Sequence, residues 1–382
     1  MKILYVHTYY RQRGGEDVVF RNEMEMMSSV CEVHSIAFHN RMGFLGALQF
    51  LFSICNPLAA FRIRSKAKEC GADIVHFHNW HYAIGPFALL LLKWSGIKTV
   101  LTVHNYRLLC PSSTLFYDHA NHPENASKKF AWSAVFHRAY RGSLLQTFWM
   151  AAIIWTHRML GTWKSVGGYV FLTPFMKDLH APFLGAYPQN RIFVKPNFAP
   201  ASEIKVAPRA NEFVFIGRLT EEKGIPQLLS AWKDIPHLLH IYGTGPLSEL
   251  VRQNEKQNSF IRYHGQKDRN TLLTALNQCS MLIFPSVWYE PFGMVIIEAF
   301  SCGTPVMAFN VGGIASIVRD GANGSVLSIE DPMAIVNGVR KWMDMDEEKK
   351  QRFTEQALQD HRTLYSVETN RSLLQSVYEE LS

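Results

Sequence analysis

The feature that most constrains the fold is a regular alternation of short apolar runs with helical stretches, which continues through both halves of this 382-residue chain. The apolar runs are nearly continuous, as in β-strands that are covered on both faces. Strands separated by helices form parallel sheets, and the pattern predicts one such sheet in each half. Strands are predicted at 2–7, 32–38, 73–78, 98–104, 168–173 and 191–195 in the first half, and at 212–216, 238–242, 260–264, 281–284 and 305–309 in the second.

The domain organisation follows from this pattern and from the chain length. A chain of this size is expected to form two domains, and the Pro- and Ala-rich segment Pro196–Ala201 is predicted to link them. We place the first domain at 1–197 and the second at 198–362. The predicted fold class is α/β, with two Rossmann-like, doubly wound parallel-sheet domains. Such domains bind ligands outside the carboxyl ends of their strands, which predicts an active site in a cleft between them.

Composition excludes several classes of protein. The chain is 47% hydrophobic and 19% charged, which is typical of a folded globular protein. Its six cysteines are scattered without a C-x-x-C pair, so a disulfide scaffold or a structural zinc site is not expected, and a reducing compartment is favoured. The N-terminus is predicted to be a strand rather than a signal peptide, and no apolar run reaches the ~18 residues of a membrane span. These features predict a cytoplasmic protein, soluble or peripheral on a membrane.

The net charge of +7 is distributed unevenly. Neither 33–68 nor 125–177 contains an acidic residue, and the second of these stretches combines basic residues with aromatic ones. This combination suits a helix on an anionic membrane surface, although a core helix with a solvated basic face would give the same pattern. No nucleic-acid-binding motif is present, so nucleic acid is not a predicted partner. The tryptophans of the second stretch are Trp132, Trp149, Trp155 and Trp163.

The second half contains two glutamates at a helix entrance. Glu290 follows the predicted strand 281–284 on a loop, Gly293 is predicted to open a helix, and Glu298 falls on its second turn. The free N–H groups and the dipole of a helix N-terminus bind anions. The first carboxylate would suit a hydroxylated sugar, the helix start a diphosphate, and the second carboxylate a ribose. The alternative is two unrelated glutamates, the first a cap and the second solvated.

Two cations follow the first strand of the second half. Gly217 ends the predicted strand 212–216 and lets the backbone turn, and Arg218 and Lys223 come directly after it. Arg can bind two phosphate oxygens at once and Lys adds a point charge, so the pair would stabilise a departing nucleoside diphosphate. A surface loop with charges of both signs is the alternative.

Glycines follow strands in both halves. Gly14 and Gly15 follow the first strand, where main-chain N–H groups could approach a ligand closely. Gly312 and Gly313 follow the strand 305–309, where they would shape the nucleotide pocket. A Gly pair alone is also compatible with a simple turn.

Histidines are concentrated near the carboxyl ends of two strands in the first half. His76 and His78 would share one face of a strand, as a metal pair does, but no third ligand with suitable spacing follows, and no metal site is predicted. His104, at the end of the next strand, is placed to hydrogen-bond a sugar hydroxyl or to orient an acceptor. A buried imidazole with satisfied hydrogen bonds is the alternative for His76 and for His104.

Taken in this order, the motifs resemble glycosyltransferase family 4, the retaining nucleotide-sugar enzymes of the GT-B fold, over nearly the whole chain. Further segments resemble the branch of that family that acts in bacterial surface-polysaccharide synthesis. The segments that carry the resemblance are Gly217–Leu219 with Lys223–Gly224, Glu290–Glu298, Ser301–Val306, Gly14–Gly15, His104–Pro111, Arg141–Ser143 and Lys195–Phe198.

The resemblance implies a role for each matched position. His104, Arg218, Lys223 and Glu290 are expected to carry the reaction, and acceptor or sugar contacts are expected from His78, Asn105 and Arg107. No bound metal and no cofactor are implied, and the C-terminal helix, 363–382, is expected to cross back onto the first domain. The expected donor-binding residues are Gly15, Gly217, Arg218, Lys223, Glu290, Phe292, Gly293, Met294, Val295 and Glu298.

The function implied is that of a retaining, hexosyltransferase-type glycosyltransferase. It would move a sugar from a UDP- or GDP-linked donor, with UDP preferred on family grounds, to a polyprenyl-diphosphate-linked or other glycan acceptor. The product would belong to O-antigen, capsule or exopolysaccharide, and the protein would lie on the inner face of the cytoplasmic membrane. The alternatives are a nucleotide-sugar epimerase of GT-B shape and a non-catalytic nucleotide-sugar-binding scaffold.

Overall fold

A computed structural model describes residues 1–10, 14–204 and 208–382. The chain divides into two compact units. The first unit comprises residues 1–118, 122–196 and 370–382, and the second comprises 119–121 and 197–369. The first unit thus ends at Pro196 and resumes at Asn370. The corresponding limits predicted from the sequence are 197 and 363.

The first unit is built on a six-stranded sheet in the order β2-β1-β3-β4-β7-β8, in which every pairing is parallel. The strands of this unit are β1 (Lys2–Tyr9), β2 (Glu32–His39), β3 (Ile74–Phe77), β4 (Lys98–Val103), β5 (Phe116–Tyr117), β7 (Gly168–Phe171) and β8 (Ile192–Val194). The short strand β6 (Ala120–Asn121) lies in the segment 119–121 that belongs to the second unit. The helices are α1 (Gly15–Met27), α2 (Gly43–Leu51), α3 (Pro57–Glu69), α4 (Phe87–Trp94), α5 (Trp132–Phe136), α6 (Leu144–Met159) and α7 (Pro174–Leu184).

The second unit repeats this architecture with a parallel sheet in the order β11-β10-β9-β12-β13-β14. Trp232 and Phe213 are fully buried in its core. The strands are β9 (Ala210–Ile216), β10 (Leu239–Tyr242), β11 (Ile261–Gly265), β12 (Cys279–Phe284), β13 (Val306–Phe309) and β14 (Gly324–Leu327). The helices of this unit are α8 (Ile225–Ala231), α9 (Ser248–Gln257), α10 (Arg269–Gln278), α11 (Met294–Ser301), α12 (Ala334–Met343) and α13 (Glu347–Asp360). The last helix of the chain is α14 (Val367–Leu381).

The predicted α/β fold with two doubly wound parallel sheets is confirmed. All predicted strands are present, with ends that differ by one or two residues in most cases. The edge strand β14 and the pair β5 and β6 are additional. They are only two to four residues long, and runs this short carry too little periodicity to be recognised from sequence.

The last helix, α14, belongs to the first unit from Asn370 onward. Leu374, Val377 and Tyr378 on one of its faces are buried, as the apolar pattern predicts, whereas Leu373 is 38% exposed. Because Tyr378 is 1% exposed and hydrogen-bonds to β1 and β3 through its hydroxyl, the helix is an integral part of this unit's core.

Within the described parts of the chain, no single helix combines the length and the apolar composition needed to cross a bilayer. Gly43–Ile54 and Pro57–Glu69 reach that length and composition only as a pair, with a bend of 73° between them.

Candidate active site

The carboxylate of Glu290 lies at the centre of a compact cluster in the second unit. Its Oε2 atom is 2.5 Å from Lys223 Nζ and accepts a hydrogen bond from Trp288 Nε1 at 2.9 Å. The hydroxyl of Ser286 lies 3.3 Å from the same oxygen. Only 9% of the Glu290 side chain and 15% of that of Lys223 are exposed. Glu290 is therefore a positioned carboxylate at the carboxyl end of β12 rather than a solvated cap.

The N-terminus of α11 lies three residues beyond Glu290. Gly293 precedes the helix with φ of 83°, in the left-handed region that a residue with a side chain adopts only with strain. This turn lets Met294 and Val295 begin the helix, where their main-chain N–H groups have no intrahelical partner. Phe292 is buried, and its ring packs edge-to-face on Tyr365. The predicted helix start after Gly293 is confirmed.

The Glu290 loop is supported by a second glycine turn. Gly312 also has a positive φ, of 66°, and a Cβ atom there would lie 2.8 Å from the main-chain nitrogen of Glu290. The neighbouring Gly313 donates its N–H to the Glu290 carbonyl at 3.0 Å. Gly312 and Gly313 thus hold the loop that carries the carboxylate, which gives this sequence motif a structural reason.

The two cations that follow β9 differ in their surroundings. Arg218 is paired with Glu222 at 3.3 Å, and 66% of its side chain is exposed, so it is accessible to a ligand. Lys223 ends a short 3₁₀ turn, Glu221–Lys223, and its ammonium lies 5.3 Å from the ring centroid of Trp288. Gly217 donates its N–H to Tyr242 on the neighbouring strand at 3.0 Å. The structure therefore brings Lys223 to Glu290, while Arg218 remains at the surface.

Glu298 lies on the second turn of α11, as predicted. Its side chain is 27% exposed, and the guanidinium of Arg269 lies 3.5 Å away. Burial raises the pKa of Glu298, and Arg269 opposes that rise only in part. A partly buried carboxylate with a spare oxygen is suited to accept hydrogen bonds from neighbouring hydroxyl groups.

In the first unit, several predicted site residues line a small, partly open cavity at the carboxyl end of β4. His104, Asn105, Arg107, His78 and Glu16 contribute to its lining. His104 follows β4 directly, and its Nε2 atom is 3.0 Å from His78 Nδ1. Burial, and then the neighbouring His78, lower the pKa of His104 well below its usual value, so its imidazole is neutral at physiological pH.

A local turn shapes the wall of this cavity. The Asn105 side-chain oxygen accepts the N–H of Arg107 at 3.0 Å, and Arg107 Nη1 donates to the Tyr10 hydroxyl at 3.0 Å. Glu16, on the first turn of α1, receives a hydrogen bond from Asn105 Nδ2 at 3.4 Å. Its other oxygen is buried without a partner among the described residues. Burial raises the pKa of Glu16 to about 8, so its carboxyl is largely protonated at neutral pH.

The glycine pair of the first unit opens α1. Gly14 is the N-cap residue, its N–H donates to Asp17 Oδ2 at 3.1 Å, and Gly15 is the first helical residue. Both glycines are exposed, so the main-chain N–H groups of this helix start are accessible. This is the geometry expected of a phosphate-binding turn, and the role of Gly15 as a donor contact stays a prediction.

The histidine pair on and after β3 is part of a buried network. His76 is fully buried, with Nδ1 2.7 Å from the Tyr378 hydroxyl and Nε2 2.7 Å from the Thr102 hydroxyl. His78 Nε2 lies 3.0 Å from Glu23 Oε1, and the second oxygen of Glu23 is 2.9 Å from Lys195 Nζ. His76 is thus a core imidazole, while His78 connects the core to His104.

Two groups of side chains in the described residues have spacings compatible with a metal ion. Glu23 supplies the third member beside His76 and His78, which the sequence spacing did not reveal. The ammonium of Lys195 already provides the positive charge there. The second group is Glu212, His240 and Cys279, in which Glu212 Oε2 and His240 Nε2 lie 2.8 Å apart. The expectation of a metal-free protein stays a prediction.

Several residues of these clusters were missed by sequence reasoning. Glu16 directly follows the Gly14–Gly15 pair, so its position was a usable signal. Lys195 was recognised only as part of the segment Lys195–Phe198, without a role. Glu23 and Trp288 gave no signal: Glu23 is 55 residues from His78 and 172 from Lys195 along the chain, and Trp288 is one aromatic residue in an aromatic-rich loop.

Two compact units, each built on a six-stranded parallel sheet with α-helices between the strands, have the architecture of the GT-B fold. Residues 201–360 match the family model described as Glycosyl transferases group 1, and residues 31–202 match that described as Glycosyltransferase Family 4. The two matches together extend from residue 31 to residue 360. The chain belongs to glycosyltransferase family 4.

Known proteins support this assignment. An uncharacterized glycosyltransferase of Methanocaldococcus jannaschii is 32% identical over 139 residues, which are 36% of this chain and 39% of the relative. The solved structure of Anabaena HepE in complex with UDP has a TM-score of 0.69 at 17% identity, over 99% of this chain and 100% of that one. Sucrose-phosphate synthase from Thermosynechococcus elongatus has a TM-score of 0.72 at 16% identity, over 100% and 99% of the two chains.

The curated relatives are matched over only part of their length. The aligned region covers between 34% and 39% of those proteins. The structural likenesses, at 16–17% identity, show the GT-B fold alone.

Proposed function

We propose that this protein is a retaining glycosyltransferase that transfers a sugar from a UDP- or GDP-linked donor to a lipid-linked glycan. The observation that carries the proposal is the cluster at the N-terminus of α11. There the Glu290 carboxylate is held by Lys223 at 2.5 Å and by Trp288 at 2.9 Å, beside the free N–H groups that follow Gly293. A carboxylate that accepts sugar hydroxyls next to an amide cradle for phosphate suits a nucleotide sugar.

The chemistry assigned to the second unit is electrostatic. In the reaction the bond between the anomeric carbon and the diphosphate oxygen breaks, and a bond to the acceptor oxygen forms on the same face of the sugar. The acceptor proton moves to the departing diphosphate. Arg218 and Lys223 would stabilise the negative charge that develops on that diphosphate, so no metal ion is required by this scheme. Glu298 would accept hydrogen bonds from the ribose.

The first unit is proposed to bind the acceptor. Its cavity combines the neutral imidazole of His104 with the cation of Arg107 and the protonated carboxyl of Glu16. Donors and acceptors of this kind suit a hydroxylated ring. The diphosphate of a polyprenyl-linked acceptor would add charge that Arg107 can pair with.

A membrane surface is the proposed source of that acceptor. In α5 and α6 the side chains of Phe136, Leu145 and Met159 are 70% or more exposed, and Trp132 and Trp155 are exposed by 52% and 42%. Exposed apolar area of this extent on one region of a soluble unit marks an interaction surface. Residues 125–177, which include α5 and α6, supply exposed lysines and arginines and contain no acidic residue, and this pattern favours an anionic bilayer.

The exposed apolar surface extends beyond the stretch recognised from sequence. Trp149 Nε1 of α6 donates to the carbonyl of Phe50 in α2 at 3.0 Å, and Phe44 and Leu45 of α2 are 77% and 55% exposed. Trp163, by contrast, is 3% exposed and packs against Trp80, so its assignment to the surface was wrong. Its indole N–H donates to a carbonyl of α6, which places the ring in the core.

Binding and product analysis test the enzymatic proposal. Purified protein is screened by thermal shift against UDP, GDP and their glucose, galactose, N-acetylglucosamine and mannose derivatives, with and without EDTA. A ligand that binds the folded state raises the melting temperature by mass action. The bound donor is then incubated with a polyprenyl-diphosphate-linked N-acetylglucosamine, and the anomeric configuration of the product is read by NMR.

The outcomes separate the alternatives. Transfer with retention, unaffected by EDTA, supports the proposal. Conversion of the donor into another nucleotide sugar without acceptor identifies an epimerase, and nucleotide binding without turnover identifies a scaffold. An inverted product would overturn the retaining assignment.

Vesicle sedimentation tests the membrane surface. The protein is expected to bind phosphatidylglycerol vesicles, to bind phosphatidylcholine vesicles weakly and to dissociate as salt is raised. Leu145→Ser with Met159→Ser should reduce binding, whereas Phe260→Ser, an exposed apolar residue of the second unit, should not. Equal binding to neutral vesicles, or no effect of the double variant, would contradict the proposal.

A further inference from the structure

We propose that Glu23 and His78 are positioning residues that fix the tautomer of His104, so that His104 Nδ1 is presented to the cavity as a hydrogen-bond acceptor. The inference deepens the proposed function and rests on it in one respect only: the group that this nitrogen receives would be a hydroxyl of the sugar or of the acceptor glycan. The tautomer itself follows from the hydrogen bonds within the first unit.

The first step is the charge state of Glu23. Burial alone would raise its pKa, but Lys195, His78 and His76 together hold the pKa well below its usual value. Lys195 Nζ lies 2.9 Å from Glu23 Oε2, and both side chains are almost completely buried. Glu23 is therefore a carboxylate, which can only accept hydrogen bonds.

The second step is the protonation of His78. Its Nε2 atom lies 3.0 Å from Glu23 Oε1 and must carry a proton, because the carboxylate has none to give. Glu23 is already neutralised by Lys195, and a second buried cation would lack a partner. His78 is therefore neutral, with Nδ1 unprotonated and free to accept.

The third step transfers this constraint to His104. His78 Nδ1 and His104 Nε2 are 3.0 Å apart, so the protonated Nε2 of His104 donates a hydrogen bond to the unprotonated Nδ1 of His78. Burial lowers the pKa of His104, which keeps its imidazole neutral. The remaining nitrogen, Nδ1, is therefore unprotonated on a residue that lines the cavity.

The consequence for recognition is a fixed hydrogen-bond polarity. An unprotonated nitrogen accepts a hydrogen bond from a hydroxyl and repels a carbonyl or phosphate oxygen. His104 would thus select and orient a hydroxyl group, while Arg107 and the main-chain N–H groups are suited to anionic oxygens. In catalytic triads, too, a buried carboxylate sets the tautomer of a histidine, which then acts on a third group.

Nitrogen NMR tests the tautomer directly. In protein labelled with ¹⁵N-histidine, the His104 resonances are identified by their absence in a His104→Ala variant. We expect the pattern of a neutral ring protonated on Nε2, with an Hε2 proton that exchanges slowly with water because it is buried in a hydrogen bond. A ring protonated on Nδ1, or a charged ring at neutral pH, would overturn the proposal.

Substitution of His78 tests the positioning role. His78→Leu removes the acceptor and should lower the turnover of UDP-glucose hydrolysis about tenfold with little change in KM, since one hydrogen bond is lost. His78→Asn places a carbonyl oxygen where Nδ1 lies and should restore both the slow Hε2 signal and most of the rate. Equal rates for the two variants would contradict the proposal.

A matched control and a separate failure criterion complete the design. His180→Asn substitutes a fully buried histidine of the same unit whose hydrogen bond within the described residues is to the Met176 carbonyl, so it reports the general cost of such a change. If wild-type protein hydrolyses none of the UDP- and GDP-sugars of the thermal-shift screen, that result counts against the proposed function, whereas the tautomer is decided by the NMR spectrum of the wild-type protein and of His78→Asn.

Discussion

The two candidate subsites are built in opposite ways. In the second unit the charged groups are supplied by a 3₁₀ turn, a loop and a helix start, and Lys223 reaches Glu290 near the surface of its unit. In the first unit, His104 is held by a series of buried side chains drawn from α1, β3 and the segment after β8. The comparison shows that one subsite depends on main-chain turns and the other on a long-range hydrogen-bond network.

The cations of the two subsites illustrate the difference. Arg218 is 66% exposed, and within the described parts of the chain its ion-pair partner is Glu222 alone, so a phosphate can compete for it. Lys195 is 1% exposed and is bonded to both Glu23 and Asn370 at 2.9 Å. The first cation is available to a ligand, whereas the second neutralises a carboxylate inside the fold and is not.

The largest effect is expected at Lys223, because this cation is proposed to act directly in the reaction. Lys223→Met keeps the length of the side chain and removes its charge, and we expect turnover of the bound donor to fall roughly 10²–10³-fold. The exposed lysine variant Lys233→Met should leave turnover unchanged. Full activity in a Lys223→Met protein with a normal melting temperature would remove Lys223 from the site.

The next effect concerns Glu298, which is proposed to contact the ribose. Glu298→Gln should weaken binding of the nucleotide about tenfold, because a hydrogen bond to a charged group is replaced by one to a neutral group. Isothermal titration with the nucleotide and with inorganic pyrophosphate separates the contributions, since pyrophosphate has no ribose and should bind both proteins alike. Glu249→Gln, on the exposed helix α9, is the control, and equal weakening of pyrophosphate would contradict the assignment.

A smaller effect is expected from Tyr378, which connects α14 to the buried network. Its hydroxyl lies 2.7 Å from His76 Nδ1 and 2.9 Å from the Tyr5 hydroxyl. Tyr378→Phe leaves those groups without this partner and should lower the free energy of unfolding by about 1 kcal/mol, measured by urea denaturation. In a Tyr378→Phe background, Tyr5→Phe should lower the free energy of unfolding by less than it does in the wild-type protein, because the hydrogen bond between the two hydroxyls is already lost. Strict additivity of the two substitutions would show that the network is not coupled.

A pH dependence of stability, rather than of turnover, is expected from Glu16. Its pKa is raised to about 8 in the folded protein, mainly by burial. A raised pKa favours folding when the carboxyl is protonated. This contribution is complete below the unfolded value of about 4.5, and it is lost as the pH rises to about 8. Glu16→Gln should therefore gain melting temperature relative to wild type between pH 5 and pH 8, and a constant difference across that range would contradict the raised pKa.

The fold and the second-unit subsite were largely predictable because their determinants are local. Apolar runs of four to eight residues identified the main strands, and Gly293 with its positive φ set the start of α11. Glu290 and Glu298 lie within nine residues of each other, so their spacing on a loop and a helix could be read from the sequence.

The first-unit subsite was only partly predictable because its partners are distant in the chain. His104 was identified from its place after a strand, but Glu23 carries no sequence signal of its burial beside His78. Its helix α1 has exposed and buried positions in close alternation, and a glutamate there would ordinarily be assigned to the solvated side. Only the tertiary fold, which brings Lys195 to it, makes a buried carboxylate stable.

The bond between Lys195 and Asn370 has a consequence for synthesis. The two residues are 175 positions apart in the chain, and all but three residues of the second unit are translated between them. A nascent chain leaves the ribosome from its N-terminus, and domains generally fold in that order. Here the first unit emerges before the second and lacks Asn370 and Tyr378 until the second unit has been made. Until then, Glu23 and Lys195 lie in an incomplete core. The second unit is therefore free to fold co-translationally, whereas the first can be completed only after residues 370–382 have been made.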